Sequence, residues 1–214
     1  MNVATIKKYD IANGVGVRVS LFVSGCRHAC PGCFNEVAWN FGYGTPYTQA
    51  TEQELLDALR PSYIRGLTLL GGEPFEPENQ ATLVALLARV RRELPEKDIW
   101  CYSGFTYEEL TGDTARCVTP LTRKMLGMID VLVDGRFDAD RADISLVFRG
   151  SANQRILDAG IARDGQTRAV CAPRVLGKEP QKRLKEITVE KQSGNAEKQN
   201  KKRLKEKKKA LKTK

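Results

Sequence analysis

The sequence predicts an α/β fold built from parallel βα units. Short apolar runs alternate with helical segments over residues 17–148. Polar or glycine-rich segments follow the end of each apolar run. This alternation is typical of a parallel sheet covered by helices, and 214 residues are enough to bury a real core.

The predicted strands follow a turn-rich opening at residues 9–16, where Asn13-Gly14 is a typical turn pair. Five apolar runs are predicted as strands, at residues 17–23, 67–70, 98–102, 128–133 and 144–148. Parallel strands end at one edge of a sheet, and active sites are built at that edge. We therefore expect the loops after these strands to converge.

The predicted helices lie at residues 51–60, 79–94, 106–110 and 120–126. Thr51 and Glu54 have the spacing of a capping box at the start of the first helix, and Pro61 ends it. The second helix has one apolar face, formed by Leu83, Leu86, Leu87 and Val90.

The most informative motif is the cysteine loop after the first strand, Cys26-x3-Cys30-x2-Cys33. Pro31-Gly32 argues against an uninterrupted helix, so a loop curled around one metal centre fits the spacing. Iron–sulfur clusters ordinarily take four cysteines. Three thiolates leave one corner of such a cluster open to a non-protein ligand.

Two other interpretations of this loop stay open from the residues alone. The thiols could hold a structural zinc ion with His28 or a distant cysteine, but closed zinc sites usually show a second pair of ligands, and none is evident. They could also be unligated core thiols. His28 is interpreted as an exposed loop residue rather than a ligand.

Gly71-Gly72-Glu73-Pro74 follows the second predicted strand. Its plain interpretation is a strand-to-helix turn. Its functional interpretation is a corner for an ammonium group, since two glycines let the backbone approach a ligand and Glu73 supplies a negative charge.

The net charge of +9 belongs to the C-terminal part of the chain. Residues 159–214 hold 18 Lys and Arg against 6 Asp and Glu, whereas residues 1–158 hold 17 against 20. We therefore divide the chain into a domain at 1–158, a linker at 159–180 and a lysine-rich tail at 181–214. The tail is expected to be disordered and solvated; electrostatic attachment to RNA, DNA or an acidic partner face is the alternative.

The cysteine motif and Gly71-Gly72-Glu73-Pro74 resemble the motifs of the radical S-adenosylmethionine superfamily. More closely, the chain resembles the glycyl-radical enzyme activases that serve anaerobic ribonucleoside-triphosphate reductases, through residues 10–16, 21–26, 30–33, 131–137 and 149–154. The resemblance covers about residues 1–158. It implies an incomplete (β/α) barrel of about five to six parallel strands.

The resemblance implies an oxidoreductase with a [4Fe–4S] cluster on Cys26, Cys30 and Cys33, whose fourth iron chelates S-adenosylmethionine. One electron from a flavodoxin-like donor would cleave this cofactor to methionine and a 5′-deoxyadenosyl radical. That radical would take a hydrogen atom from a glycine of the large catalytic subunit of the reductase.

The resemblance also implies contacts to S-adenosylmethionine. Gly71, Gly72 and Glu73 would hold its amino end, and the backbone of Gly32, Cys33 and Phe34 would lie against its adenosine. Many superfamily members have an aromatic residue directly before the third cysteine. Here Gly32 takes that position and Phe34 follows instead.

Further polar residues lie after later strands. Ser103 and Asp134 would contact the cofactor at the rim, although Asp134 could simply begin an Asp-Gly turn. Arg149 and Asn153 would shape a surface that faces the partner. Cys101 is expected to be a buried core thiol, and Cys117 and Cys171 have no evident role.

Two rival functions remain. One is the activase of another glycyl-radical enzyme, or a small radical S-adenosylmethionine enzyme acting on a metabolite. The other is a zinc-stabilised nucleic-acid-binding adaptor that uses the cysteines, His28 and the tail. The chain shows no apolar run long enough to span a membrane and no signal-peptide segment, so we expect a cytoplasmic location.

Overall fold

The computed structural model describes residues 1–159 and 174–175. Seven strands lie within residues 1–159: β1 (Asn2–Asp10), β2 (Val17–Val23), β3 (Thr45–Pro46), β4 (Ile64–Gly71), β5 (Asp98–Ser103), β6 (Val131–Asp134) and β7 (Arg155–Asp158). A two-residue strand, β8 (Arg174–Val175), pairs with β7. The helices are α1 (Gln49–Leu59), α2 (Pro77–Glu93), α3 (Tyr107–Thr111) and α4 (Thr122–Leu126), with 3-10 turns at Glu36–Trp39 and Ala139–Arg141.

All the strands form one sheet in the order β3-β1-β2-β4-β5-β6-β7-β8. β2, β4, β5 and β6 are parallel, whereas β1 pairs antiparallel with β2 and β7 pairs antiparallel with β6. The α/β class is therefore confirmed. The count of five to six parallel strands is wrong, because the described part of the sheet has four in its centre and antiparallel strands on both sides; barrel closure stays a prediction.

The helix-covered face of the sheet carries the core. Alternate residues of β2, β4 and β5 point into it, as expected from the two-residue period of a strand. The apolar face predicted for α2 is confirmed, since Leu83, Leu86, Leu87 and Val90 are all fully buried. Burial of each such side chain contributes roughly 1.5–3 kcal/mol.

The opposite face of the sheet is partly polar. Arg18 of β2 is fully buried there, with its Nε donating to the Thr68 hydroxyl at 2.7 Å and its Nη1 paired with Asp98 at 2.6 Å. Its guanidinium also lies 5.3 Å from the ring centre of Trp100. This network ties β2, β4 and β5 together on the side away from the helices.

The predicted cap of α1 is wrong by one turn. Thr48 is extended and its side chain accepts from the amide of Thr51 at 3.3 Å, while the Thr51 hydroxyl accepts from the amide of Thr48. Thr51 thus takes the acceptor place that the prediction gave to Glu54. Glu54 instead pairs with Lys8 at 2.9 Å.

The predicted fifth strand at 144–148 is wrong, and β7 at Arg155–Asp158 occupies the sheet instead. Ile144 is fully exposed, and Phe148 has a φ of 55°, in the left-handed region that a strand excludes. The strand β1 was not predicted, because its apolar and polar residues do not alternate regularly; only Val3 and Asp10 are buried along it.

The predicted tail at 181–214 lies outside the described residues, as does most of the predicted linker at 159–180. Within the described part of the chain, none of the helices combines the length and the apolar character needed to cross a membrane.

Candidate active site

A cavity of about 500 Å³ lies where β2, β4 and β5 end. Nine of the ten predicted site residues line it: Cys26, Cys30, Gly32, Cys33, Phe34, Gly71, Gly72, Glu73 and Ser103. The convergence of loops at this edge of the sheet, predicted from strand order, is confirmed by this lining.

The start of the cysteine loop is anchored to the 3-10 turn at Glu36–Trp39. The amides of Gly25 and Cys26 donate to the carbonyls of Ala38 and Trp39, at 2.8 and 3.1 Å. A turn then joins the amide of Cys33 to the carbonyl of Cys30 at 3.1 Å. The loop therefore curls back on itself, as the spacing predicts.

Each of the three thiols has a main-chain N–H nearby. The amide of Asn35 donates to the Cys33 sulfur at 3.4 Å. The amides of His28 and Ala29 lower the pKa of the Cys26 thiol, and the amide of Phe137 lowers that of Cys30, although burial outweighs them. Such donors stabilise the thiolate form that an iron–sulfur cluster requires. The donor set therefore fits a cluster with three cysteine ligands.

In the protein without metal, burial dominates the ionisation of two of these thiols. It raises the pKa of Cys26 to about 12 and also raises that of Cys30. Among the described residues, no three His, Cys, Asp or Glu side chains are already spaced to hold a metal ion. A cluster is bound by thiolates, so its binding would release the protons of these thiols.

Gly71 and Gly72 allow the backbone at the end of β4 to contact the backbone of β2 and of the segment that leads into the cysteine loop. Gly71 has a φ of 115°, and an added Cβ would lie 2.7 Å from the amide nitrogen of Val23. A Cβ on Gly72 would lie 2.6 Å from the carbonyl oxygen of Gly25. The amides of Gly72 and Glu73 donate to Val23 and Gly25 at 2.7 and 2.8 Å, which joins the end of β4 to the start of the cysteine loop.

Glu73 is almost fully buried, and its carboxylate accepts four donors. Oε1 accepts from the Phe75 amide and the Ser103 hydroxyl, both at 2.9 Å. Oε2 accepts from the Gly104 amide at 2.7 Å and faces His28 Nε2 at 3.0 Å. A carboxylate offers about four acceptor positions, so all of them are engaged.

The interpretation of His28 as an exposed loop residue is wrong. Its side chain is only 2% exposed, and its ring packs edge-on against Phe105 with centroids 4.4 Å apart. Arg136 Nε lies 3.2 Å from its Nδ1 and donates to it. Because an arginine can only donate, Nδ1 must be the acceptor, and Nε2 then carries the proton that Glu73 accepts.

Gly104 makes room for this ring. A Cβ at Gly104 would lie 2.5 Å from the imidazole Cδ2. The end of β5 therefore supplies both a donor to Glu73 and the space in which His28 reaches the same carboxylate.

Glu76 forms a second link to the cysteine loop. It is fully buried, and it accepts from the main-chain amide of Arg27 at 2.9 Å and from the Arg27 guanidinium at 2.7 Å. Arg116 Nη2 adds a third contact at 3.1 Å. The loop is thus held at two successive residues, Arg27 by Glu76 and His28 by Glu73.

Asp134 lies at the end of β6, directly before the cavity-lining Gly135. Its carboxylate is fully buried, accepts from the Tyr107 amide at 2.7 Å and pairs with Arg155. It is not among the cavity-lining residues, so the predicted contact at the rim is replaced by a structural one at the start of α3. Phe34, by contrast, lines the cavity with 84% of its surface exposed.

The remaining predicted residues have distinct surroundings. Cys101 is fully buried in the core, as predicted, and so is Cys117, whereas Cys171 lies outside the described residues. Arg149 lines the cavity. Asn153 donates to the carbonyl of Arg136 at 2.8 Å.

Sequence reasoning missed Glu76 and Arg116, and it misjudged His28. Glu76 comes two residues after Pro74 with no recognisable spacing to the cysteines. His28 did carry a signal, as the single histidine placed between two cysteines. Its partner Glu73 lies 45 residues further on, so only the fold reveals the contact.

The family model of the 4Fe-4S single cluster domain matches residues 12–157. Curated relatives named anaerobic ribonucleoside-triphosphate reductase-activating protein share this region. That of Pasteurella multocida is 48% identical over 158 residues, which are 73% of this chain and 96% of that protein. Those of Haemophilus influenzae and Escherichia coli K12 are 45% and 41% identical, over 73% and 72% of this chain and 97% and 96% of their own length.

These matches cover more than half of the chain and nearly all of each relative. The chain therefore belongs to the 4Fe-4S single cluster family, within the group of anaerobic ribonucleoside-triphosphate reductase-activating proteins.

Proposed function

We propose that this protein activates an anaerobic ribonucleoside-triphosphate reductase by generating a glycyl radical on the large reductase subunit. The names of its relatives, reductase-activating proteins, support this target. The proposed cofactors are a [4Fe–4S] cluster on Cys26, Cys30 and Cys33 and S-adenosylmethionine, and the proposed electron donor is flavodoxin-like.

The observation that carries the proposal is the shared cavity. All three thiols of the cysteine loop line it together with Gly71, Gly72 and Glu73, and main-chain amides favour the thiolate form at Cys26 and Cys30. When bound, the cluster would supply the electron that cleaves S-adenosylmethionine to the radical that takes hydrogen from the glycine.

The protein's own residues would bind and shield these groups. The cysteine loop would wrap the cluster, and its anchoring to Ala38 and Trp39 would fix the loop relative to the sheet. Gly32 and Phe34, both at the cavity, would lie against the adenosine. Ser103 would act through Glu73, because its hydroxyl already donates to that carboxylate.

Glu73 would hold the amino group of the cofactor in place of one of its present hydrogen-bond donors. Its four acceptor positions are already engaged, so an incoming ammonium must replace one of them. The His28 N–H is the contact that can yield, since it comes from a loop side chain and is the longest of the four at 3.0 Å. Backbone carbonyls at Gly71 and Gly72 would complete the corner.

An incomplete barrel remains our proposal for the curvature of the sheet. The antiparallel strands on both sides of its parallel centre are compatible with it. A barrel left open would admit a loop of another protein to the cavity, as the activation of a large subunit requires.

The experiment is an anaerobic assay of the reconstituted protein. Iron and sulfide are added, the protein is reduced with dithionite, and 5′-deoxyadenosine is measured after addition of S-adenosylmethionine. We expect product from the wild type and from the core variant Cys101→Ala, and none from Cys30→Ala. Zinc in place of iron, with no product from the wild type, would contradict the proposal.

A further inference from the structure

The cavity has a second flank that the proposed cofactor contacts leave unused. Ile99 and Cys101 of β5 point into the helix-covered core, so the alternating residue Tyr102 lies on the opposite face of the sheet. Tyr102 lines the cavity there together with Leu70, Phe148 and Arg149. Cys26, Cys33 and Glu73 also line the cavity.

Two hydrogen-bond donors on this second flank lack partners. The Tyr102 hydroxyl and the Arg149 Nε are both buried, and neither has a hydrogen-bond partner within the described part of the chain. Burial raises the pKa of Tyr102, so its hydroxyl keeps its proton at neutral pH. Buried donors are nearly always paired in native proteins, and an unpaired one calls for an explanation such as a missing ligand.

A strained segment lies over the same flank. Residues 142–150 contribute Ile144, Leu146 and Phe148 to the cavity lining. Phe148 has a φ of 55°, which is uncommon for an aromatic residue, and its ring packs edge-on against Trp100 at 5.3 Å. The side chain of Ile144 is fully exposed at the mouth. Strained backbone of this kind is found at ligand clamps.

We propose that this flank binds an extended peptide main chain, with the Tyr102 hydroxyl and the Arg149 Nε donating to its carbonyl oxygens. Leu70 and Phe148 would contact the peptide backbone, and segment 142–150 would shift to admit it. This inference rests on the proposed function, under which the peptide is the glycine-bearing segment of the reductase large subunit.

The surroundings favour an uncharged main chain over the cofactor. A neutral hydroxyl among apolar side chains can satisfy an amide carbonyl without burying a new charge. Arg149 Nη1 donates to the carbonyl of Gln154 at 3.0 Å, which holds the guanidinium in place while its Nε has no partner within the described residues. Gly135 and Gly150 line the cavity as well, so a glycine segment could approach closely.

The test compares Tyr102→Phe with Tyr63→Phe in the full-length chain. Tyr63 is 59% exposed and does not line the cavity. Binding of the purified large subunit is measured by anaerobic titration calorimetry, on protein with and without its cluster. Loss of one hydrogen bond to a carbonyl should weaken the affinity of Tyr102→Phe for the large subunit about fivefold. Tyr63→Phe should bind like the wild type.

Two controls separate this inference from the proposed function. Formation of 5′-deoxyadenosine without the reductase should be the same in Tyr102→Phe as in the wild type. The thermal midpoint of free Tyr102→Phe should be no lower than that of the wild type, because no internal hydrogen bond is lost.

Unchanged affinity for the large subunit in Tyr102→Phe would overturn the inference. So would weaker binding of S-adenosylmethionine with unchanged reductase affinity, since the cofactor would then be the ligand, and so would a lower thermal midpoint. A wild type that makes no 5′-deoxyadenosine would contradict the proposed function instead. The calorimetry of the cluster-free protein would still decide the peptide site.

Discussion

At the scale of single residues, Glu73 connects several chain segments at the cavity. Its carboxylate accepts from the cysteine loop through His28, from the end of β5 through Ser103 and Gly104, and from the amide of Phe75. The position of Glu73 at the site could be predicted, because Gly71-Gly72-Glu73-Pro74 is a local motif at the end of a strand. The contact with His28 could not, because it depends on how β4 and the loop after β2 are brought together.

We predict that His28 and Glu73 are energetically coupled. His28→Ala should lower the free energy of unfolding of the cluster-free protein by about 1–3 kcal/mol, because a buried carboxylate loses a donor. In a Glu73→Gln background the same substitution should cost less, since no buried charge is left unpaired. Urea denaturation of the two single variants and the double variant measures this coupling.

Strictly additive effects of the two substitutions would contradict the coupling. His28→Asn serves as the conservative variant, because its amide can still donate toward Glu73. It should recover part of the stability lost in His28→Ala.

At the scale of elements, the site depends on the junction between β2 and β4. These strands are parallel neighbours, and the amides of Gly72 and Glu73 continue their pairing into the cysteine loop. The central strands were predictable because their apolar runs are buried on both faces. The segment 144–148 misled the prediction, since an apolar composition suits a strand and a cavity-lining loop equally, and only the φ of Phe148 distinguishes them.

We predict that Gly72→Ala disrupts the contact between the end of β4 and the start of the cysteine loop. The new Cβ would lie 2.6 Å from the Gly25 carbonyl oxygen and 2.9 Å from that of Ala38, both of them backbone atoms. Crowding of this kind typically costs about 1–3 kcal/mol. We therefore expect a lower urea midpoint and reduced iron content after reconstitution.

Gly42→Ala is the matched control for that substitution. A Cβ at Gly42 meets only the Asn40 side-chain oxygen, at 3.4 Å, so stability and iron content should stay near wild type. Equal iron content in Gly72→Ala and Gly42→Ala would show that the junction does not position the cysteines.

At the scale of the whole molecule, arginine–carboxylate pairs set the response to acid. Arg27 holds the pKa of Glu78 below its ordinary value of 4.5, Arg89 does the same for Glu93, and Arg155 for Glu108. A lowered pKa in the folded state means that the unfolded chain takes up protons first as the pH falls. The stabilisation is therefore present above about pH 4.5 and is lost below it.

We predict that the urea midpoint of the cluster-free protein falls between about pH 5 and pH 3, with a smaller fall at high salt, because these pairs lie near the surface. Glu108→Gln should flatten this pH dependence. A midpoint that rises over the same range would contradict the assignment of these carboxylates.

The last prediction concerns the basic C-terminal region. The relatives from Pasteurella multocida and Haemophilus influenzae are matched over 96% and 97% of their length by only 73% of this chain. Their function therefore needs little beyond the matched region, and the described residues that line the cavity lie within residues 12–154. We expect a chain truncated after residue 180 to form 5′-deoxyadenosine at the wild-type rate.

If the tail contributes electrostatic attachment to the reductase, truncation should weaken binding of the large subunit at low salt and leave it unchanged at high salt. Loss of 5′-deoxyadenosine formation on truncation would instead show that the catalytic domain extends beyond residue 180.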